Sequence, residues 1–328
     1  MAIDIRRREF VVTLGGAAIA WPLAARAQQA TVPMIGLLHP LSPNTYGDRL
    51  AAFRRGLKDP GYVEGDNVTI VYRWAEDQLH QLEALAAELV RRQVSVITAF
   101  GPAAYAASAA TKTIPIVFLV NYPVGLVANL TRPVDNLTGI TLVTGESVAR
   151  RLELLRELVP AVTRVAVLVN PTADVVSAEA TMRDAEAAAR AIGLQIQLLK
   201  ASTTGEINAA FATFGRDRPD ALFVDIDPFF FSRRVQLVNL ASRYAIPTAY
   251  PGRQFTEVGG LISYGTNLSD AWGQLGIYTG RILNGVKPAD LPVVQASKFE
   301  LVINAQTATM LSLTVPPQLL ARADEVIE

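Results

Sequence analysis

The sequence contains no cysteine and only two histidines, His39 and His80, among its 328 residues. Without cysteine the chain can form no disulfide bond and can carry no lipid anchor on a cysteine at a cleavage point. Two histidines are too few for a histidine-rich metal site, so we expect neither a metal nor a cofactor. Aromatic residues make up only 7% of the chain, which makes the position of each one informative.

No apolar run is long enough to cross a bilayer, which takes about 20 apolar residues. The apolar run at 11–20 instead follows three arginines and precedes Ala25-Arg26-Ala27. A positive segment, a short apolar segment and an A-x-A site together predict a cleaved export signal over 1–27, and hence a periplasmic protein. Arg7-Arg8 and the residues after it resemble the twin-arginine signal; general secretion is the alternative, because Arg6 makes the pair ambiguous.

The charges of the chain are balanced, with 30 basic and 30 acidic residues. The predicted signal holds four of the basic and two of the acidic residues, so 26 basic and 28 acidic residues remain, a net charge of −2. This balance argues against nucleic acid or an anionic membrane surface as a partner. The remaining chain of about 300 residues exceeds a usual single core and predicts two domains.

Strand-like apolar runs alternate with amphipathic helical runs, which is typical of α/β units around parallel sheets. The first half predicts strands at 34–38, 68–72, 94–99 and 116–119, and helices at 45–58, 79–91 and 103–111. After a helix at 149–158, the second half predicts strands at 165–169, 195–199, 221–225 and 247–250, and helices at 175–191, 206–214 and 230–244.

Proline landmarks show that the second half repeats the first. Three pairs of prolines stand at equivalent places next to strands, at offsets of 131, 126 and 132 residues: Pro40 and Pro171, Pro102 and Pro228, Pro115 and Pro247. A nearly constant offset predicts two similar Rossmann-like α/β lobes with parallel sheets.

The chain continues after the second lobe with a strand at 260–264, a helix at 270–283 and a strand at 299–303. Such elements are expected to cross back to the first lobe and so create a hinge of several strands, with a ligand cleft between the lobes. We therefore expect lobe 1 at 31–143 plus about 266–296, and lobe 2 at 144–265 plus about 297–328.

Four stretches together resemble the ABC-transporter substrate-binding proteins of the tryptophan/tyrosine-type family. They are IPIVFLVNYPVGLVANLTRPVDNLTGITL, RLELLRELVPAVTRVAVLVNP, the long segment from DPFFFSRRVQLVNLASRYAIP to GQLGIYTGRIL, and KFELVINAQTATMLSLTVPPQLLARADEVI. The resemblance implies the type I periplasmic binding fold, a monomer that captures a small molecule, such as an amino acid or an aromatic or other organic acid, and delivery of that ligand to a membrane permease.

One position departs from the family pattern. Members of the family often carry an aspartate before the proline where this chain has Asn121-Tyr122-Pro123. A carboxylate there could pair with the ammonium group of a ligand, and neither Asn121 nor Tyr122 supplies that charge. A neutral or purely anionic aromatic acid is therefore a rival to an amino acid as the ligand.

The candidate ligand site lies at the carboxyl ends of the predicted strands, where open α/β sheets bind ligands. Aromatic residues there could sandwich a flat ligand group. Helix starts near Ser42, Ala103 and Thr172, and the guanidinium of Arg253, could hold a carboxylate. Asp227 could contact ligand or cap the next helix. The predicted ligand-binding residues are His39, Ser42, Tyr46, Gly101, Ala103, Asn121, Tyr122, Asn170, Thr172, Asp227, Phe229, Tyr250, Arg253 and Tyr264.

Motifs of catalysis are missing from the sequence. It contains no Walker loop, no His-Glu-x-x-His and no G-x-S-x-G elbow. We therefore expect a binding protein with no catalytic residue. A sensory protein that presents its ligand to a receptor is one alternative, and a two-domain α/β enzyme with its site in the cleft is another.

Overall fold

The computed structural model describes residues 32–133, 135–142, 145–172 and 175–328. The predicted export signal lies outside these residues. The strands are β1 (Met34–His39), β2 (Thr69–Trp74), β3 (Val96–Phe100), β4 (Ile116–Val120), β5 (Leu137–Thr141), β6 (Arg164–Val169), β7 (Gln195–Lys200), β8 (Ala221–Val224), β9 (Thr248–Tyr250), β10 (Ile262–Thr266), β11 (Val294–Gln295), β12 (Phe299–Asn304) and β13 (Glu325–Ile327). The helices are α1 (Gly47–Lys58), α2 (Leu82–Arg91), α3 (Pro102–Ala110), α4 (Gly145–Leu158), α5 (Val175–Ala191), α6 (Thr204–Ala212), α7 (Pro228–Ser232), α8 (Arg234–Arg243), α9 (Arg253–Thr256), α10 (Leu268–Leu283), α11 (Ala305–Met310) and α12 (Pro317–Leu320).

The strands form two sheets, each of which is the centre of one lobe. The sheet of lobe 1 has the order β11-β5-β4-β3-β1-β2, and the sheet of lobe 2 has the order β13-β12-β10-β9-β8-β6-β7. All pairings between neighbouring strands are parallel except that of β10 with β12. The orders β2-β1-β3-β4-β5 and β7-β6-β8-β9-β10 are the same doubly wound plan, which confirms two similar lobes.

The central strands are apolar along their whole length because helices cover both faces of a parallel sheet. Every residue of β3 and β4 is buried, as are nearly all residues of β1 and β6. The repeated prolines mark equivalent joints: Pro102 and Pro228 are the first residues of α3 and α7, where a fixed φ suits the first helical turn.

Several short elements, β11, β13, α9, α11 and α12, were not predicted from the sequence, and two further differences have a clear physical reason. β5 was not predicted, because LTGIT offers only two large apolar residues, Leu137 and Ile140, and contains a glycine. The single helix predicted over 230–244 is two helices, α7 and α8, separated at Arg233, whose φ of −103° and ψ of 16° leave the helical region.

The chain crosses between the lobes three times, between β5 and α4, between β10 and α10, and between β11 and β12. Helix α10 follows the last parallel strand of lobe 2 but packs against α1 and the sheet of lobe 1. This approach is close, since a Cβ atom on Gly56 would lie 1.9 Å from the carbonyl oxygen of Gly273, and one on Gly276 would lie 2.2 Å from that of Phe53. The glycines thus let α10 bring its first turns to the edge of lobe 1 that faces lobe 2. Within the described residues, no helix combines the length and the apolar character needed to cross a membrane.

Candidate functional site

A cavity of about 70 Å³ lies between the carboxyl ends of the two sheets. We call it the inter-lobe cavity. Its walls come from both lobes, and they are apolar except for a few side chains. The residues that line it are His39, Tyr46, Arg49, Phe100, Gly101, Pro102, Leu119, Asn121, Leu142, Leu268 and Trp272 from lobe 1 and α10, and Ile226, Pro228 and Phe231 from lobe 2.

Secondary structure explains why these side chains converge. His39 is the last residue of β1, Phe100 is the last residue of β3, and Asn121 follows β4 directly, so all three lie at the same edge of the sheet. Tyr46 is the residue that precedes α1, and Trp272 lies in the second turn of α10. A doubly wound sheet places its ligand site at this edge.

Aromatic rings form a continuous wall on the lobe 1 side. The ring of Trp272 stacks on Phe100 at 4.2 Å between centroids and 24° between planes, and it lies 5.6 Å from the ring of Tyr46. The ring of His39 lies 4.3 Å from Tyr46 and 5.0 Å from Phe100. Such a wall offers large, rigid apolar faces to a flat ligand group.

Arg49 is the one cationic side chain among the described residues that line the cavity. Its guanidinium carbon lies 4.9 Å from the ring centroid of Tyr46 and 5.4 Å from that of Phe231, so it contacts aromatic rings of both lobes. Burial lowers the pKa of Arg49 below its ordinary value, but a guanidinium keeps its proton in proteins. Among the described residues, no carboxylate forms an ion pair with it.

His39 is a neutral hydrogen-bond donor at the cavity wall. Burial, and then the nearby Arg49 cation, hold the pKa of His39 well below its ordinary value. The Nδ1 atom accepts a hydrogen bond of 3.1 Å from the backbone N–H of Leu41. In a neutral imidazole the other nitrogen then carries the proton, so Nε2–H is the donor that remains for a ligand.

Two side chains after β4 join the lobes. The Asn121 amide donates a hydrogen bond of 2.7 Å to the carbonyl oxygen of Ile226, and the Tyr122 hydroxyl donates one of 2.8 Å to Asp184 on α5. Burial, together with the Asp184 carboxylate, raises the pKa of Tyr122. Asn121 lines the inter-lobe cavity, and Tyr122 lies beside it between the lobes.

Four further predicted residues lie around an adjoining cavity of about 130 Å³, which shares Pro102 and Pro228 with the first. Its walls include Asn170, Thr172 and Phe229, and Asp227 lies just behind them. Asp227 accepts hydrogen bonds from the N–H groups of Phe229 at 2.9 Å and of Phe230, and it accepts a further bond of 3.1 Å from Asn170. In this structure its carboxylate therefore caps α7.

The other predicted residues lie away from the inter-lobe cavity. Tyr250 is buried against Phe255, with 4.9 Å between ring centroids, and Arg253 pairs with Glu257 at 2.8 Å and with Glu325 at 2.5 Å. Tyr264 stacks on Phe299. Ser42 precedes the 3-10 turn Pro43–Thr45 without a capping hydrogen bond from its side chain, and Ala103, the second residue of α3, is buried in the core.

The structure thus brings together His39, Tyr46, Gly101 and Asn121. The other lining residues were not among the predicted ligand-binding residues, and they include Arg49, Phe100, Phe231 and Trp272. Arg49 follows Tyr46 by three residues within the helix predicted at 45–58, so helical spacing from Tyr46 was a usable signal. Trp272 gave no such signal, because α10 comes after lobe 2 in the chain. In the described ranges no group of three histidine, aspartate or glutamate side chains is placed to hold a metal ion.

Comparison with known proteins identifies the family. The ABC transporter substrate-binding protein family matches residues 34–327. The chain is 27% identical over 265 residues to a tyrosine-binding protein of Clostridioides difficile strain R20291. The alignment covers 80% of this chain and 75% of that protein. Two crystal structures each cover 90% of this chain and 99% of their own. One is a conserved domain protein of Vibrio cholerae, with 28% identity and a TM-score of 0.84; the other is an ABC domain in complex with L-Trp from Streptococcus pneumonia, with 27% identity and a TM-score of 0.83. The chain therefore belongs to the ABC transporter substrate-binding proteins, which bind ligands and are not enzymes.

Proposed function

We propose that the protein captures a small organic ligand, an amino acid or an aromatic or other organic acid, in the inter-lobe cavity outside the inner membrane and delivers it to the permease of an ABC importer. The observation that carries this proposal is the composition of the cavity, whose walls come from both lobes. A ligand that contacts Trp272 and Arg49 on one side and Phe231 on the other stabilises the closed arrangement by binding both.

The proposed contacts follow from the geometry. The rings of Phe100, Trp272 and Tyr46 would cover a flat apolar group, and Arg49 and the Nε2–H of His39 would hold a polar end. Apolar walls with a few convergent polar groups are typical of small-molecule sites. The relatives named for tyrosine and L-Trp support a ligand with an aromatic ring.

Closure of the lobes would give the permease a means to recognise the loaded protein. Bonds between the lobes, such as that from Asn121 to Ile226, would hold the closed arrangement, and a permease that contacts the outer faces of both lobes could distinguish it from an open one. The boundaries expected from the sequence, 31–143 with about 266–296 and 144–265 with about 297–328, would then separate the two closing bodies.

The experiment is a thermal-shift screen of amino acids and organic acids with the protein that starts at Gln28, followed by small-angle scattering with each ligand that raises the melting temperature. A binder present at a hundredfold excess over its Kd stabilises the native state by about 2.7 kcal/mol. We expect the radius of gyration to decrease on binding, or to stay small if the free protein is already closed. The absence of any binder in the whole screen would contradict the proposal.

Export is the second half of the proposal. Cleavage after Ala27 would release the mature protein into the periplasm. Mass spectrometry of the periplasmic protein should give a terminus at Gln28, and an uncleaved Met1 or Ala2 terminus there would contradict it. Replacement of Arg7 and Arg8 by lysine should block export if the route is twin-arginine, and normal export of that variant would indicate general secretion.

A further inference from the structure

We propose that the inter-lobe cavity selects a flat aromatic monocarboxylate that lacks an α-ammonium group, and that Arg49 binds its carboxylate. This inference rests on the proposed function and names the substrate class of the same site. Three features of the described residues carry it: a cation without an acidic partner, the convergence of helix N-termini, and the absence of carboxylates from the cavity wall.

The first feature is Arg49 itself. Its guanidinium lies against the rings of Tyr46 and Phe231, and the described residues provide it with no ion pair. Arg54 and Arg253 differ from Arg49 in this respect, because Arg54 pairs with Glu64 at 2.6 Å and Arg253 pairs with Glu257 and Glu325. The partners of Arg49 are the Tyr46 hydroxyl, to which it is hydrogen-bonded, and the charge of Glu257, which acts on it without a direct ion pair. A ligand carboxylate could therefore add two parallel N–H···O bonds to this guanidinium.

The second feature is the direction of the helices. The first residues of α3 and α10, together with Tyr46 and Arg49 at the start of α1, line the inter-lobe cavity. Each of these helices has at least nine residues, and each directs the positive end of its dipole toward the cavity. Three positive ends and one guanidinium favour an anion over a cation at this place.

The third feature is the missing negative charge. Among the described residues, none of those that line the cavity is an aspartate or a glutamate. Asp77 and Asp227 act on the Tyr46 hydroxyl but do not line the cavity, and Asp227 already accepts hydrogen bonds from Asn170 and from the first turn of α7. An ammonium group in the cavity would meet Arg49 and neutral oxygens only, and it would lose its hydration without gaining a counterion.

The shape of the cavity wall indicates the form of the ligand. The wall made by Phe100 and Trp272 is flat, since the two rings are inclined by only 24°. Asn121 is occupied by its bond to Ile226, so it is not free to turn its amide group toward a ligand without opening the lobes. A planar ring with a short carboxylate-bearing chain therefore matches the wall and the Arg49 cation together.

The test uses matched ligands that differ in one group each. Calorimetry compares 3-phenylpropanoate, 3-phenylpropanamide, L-phenylalanine and phenethylamine, and then the carboxylates that correspond to tyrosine and tryptophan, 3-(4-hydroxyphenyl)propanoate and indole-3-propanoate, with those two amino acids. We expect at least one carboxylate to bind about tenfold or more tightly than the amino acid with the same ring, because the added ammonium would be buried without a partner.

The variants Arg49→Gln and Arg49→Lys, with Arg54→Gln on the same helix as the matched control, locate the anion site. Arg49→Gln should weaken the carboxylate about 30-fold or more, and should change the affinity of the uncharged amide by less than about threefold. Arg49→Lys keeps the charge but loses the bidentate geometry. Its affinity for the carboxylate should therefore lie between that of the parent protein and that of Arg49→Gln. Arg54→Gln should bind like the parent protein, and melting curves verify that each variant is folded.

Two results would overturn the inference: no carboxylate that binds more tightly than the amino acid with the same ring, or an amide whose affinity falls in Arg49→Gln as much as that of the carboxylate does. If no carboxylate binds but an L-amino acid or another ligand of the screen does, the inference fails and the proposed function stands. If no compound of the screen binds, both fail.

Discussion

The side-chain amide of Asn121 donates a hydrogen bond of 2.7 Å to the backbone carbonyl of Ile226. The donor follows β4 of lobe 1, and the acceptor follows β8 of lobe 2, so this bond joins the two lobes at the edge of the inter-lobe cavity. The acceptor is a backbone atom, and side-chain substitution of Ile226 leaves it in place. Asn121 is therefore the partner through which this bond can be tested.

Asn121→Ala should weaken ligand binding about fivefold, since a hydrogen bond between neutral groups contributes on the order of 1 kcal/mol. Calorimetry measures the loss, and small-angle scattering of the unliganded variant should show a larger radius of gyration than the parent. Asn67→Ala is the control, because Asn67 donates a bond of 2.8 Å to Gly61 within lobe 1. Equal effects of the two variants would argue against a role of Asn121 in closure.

Trp272 should report ligand binding by its fluorescence. It lines the cavity, whereas Trp74 contacts His39 at 4.9 Å between centroids without lining it. A bound ring that stacks on Trp272 changes the surroundings of that indole directly. Titration with a ligand should therefore change the emission of the parent and of Trp74→Phe. Most of that change in emission should be absent from Trp272→Phe. An emission change in Trp272→Phe as large as that of the parent would show that the ligand does not stack on Trp272.

Tyr250 should contribute to stability and not to affinity. Its ring is buried against Phe255 and lies away from the inter-lobe cavity. Tyr250→Ala should lower the free energy of unfolding by about 3 kcal/mol through the void it leaves. The Kd of the folded protein should change by less than about twofold, because the two sites share no contact. Urea unfolding measures the free energy of unfolding, and calorimetry measures the Kd. A large loss of ligand affinity in folded Tyr250→Ala would contradict the prediction and indicate that Tyr250 contacts the ligand.

Arg253→Ala should have a small effect on both quantities. The Arg253 side chain is 35% exposed and pairs with carboxylates at the surface, and such pairs contribute less than about 1 kcal/mol. The contrast with Arg49→Gln is the informative comparison, since both changes remove one guanidinium. Equal losses of carboxylate affinity in the two variants would contradict a direct contact between the Arg49 guanidinium and the ligand carboxylate.

Asp225 should make stability depend on pH. It is buried in lobe 2, where it accepts hydrogen bonds from Thr181 at 3.0 Å and from the N–H of Ile226 at 2.7 Å. Burial raises the pKa of Asp225 from 3.8 to about 7, against the opposing effect of the Arg151 cation. A folded pKa above the unfolded one means that the neutral acid is favoured by folding, so this contribution is fully present below about pH 3.8 and is lost as the pH rises to about 7.

In the parent protein, the titration of Asp225 should lower the free energy of unfolding as the pH rises from about 4 to about 7. Asp225→Asn has no carboxyl group at this position, so the decrease caused by Asp225 should be missing from the variant. Urea unfolding across that range measures it. Asp220→Asn is the opposite control: burial alone would raise the pKa of Asp220, but N–H groups of Arg164 and Thr163 hold it below its ordinary value, so its contribution is lost as the pH falls. An unchanged pH profile in Asp225→Asn would contradict the assignment.

The sequence by itself determined the fold and part of the inter-lobe cavity wall. Continuous apolar runs that alternate with amphipathic helical runs, with prolines repeated at offsets near 130 residues, predict two doubly wound lobes, because the buried strands of a parallel sheet are apolar throughout. The same plan puts the ends of β1, β3 and β4 at one edge, which is why His39, Gly101 and Asn121 could be predicted.

Only the tertiary structure decided which of the residues at strand ends face the cavity. Tyr250 and Arg253 follow the same rule as His39, yet one packs into the core of lobe 2 and the other pairs at the surface. Trp272 reaches the cavity from a helix that follows lobe 2 in the chain, through close packing of α10 on α1 at Gly56. Strand order follows from local patterns. The position of a side chain such as Trp272 depends on contacts between segments more than 200 residues apart, and no local sequence pattern contains that information.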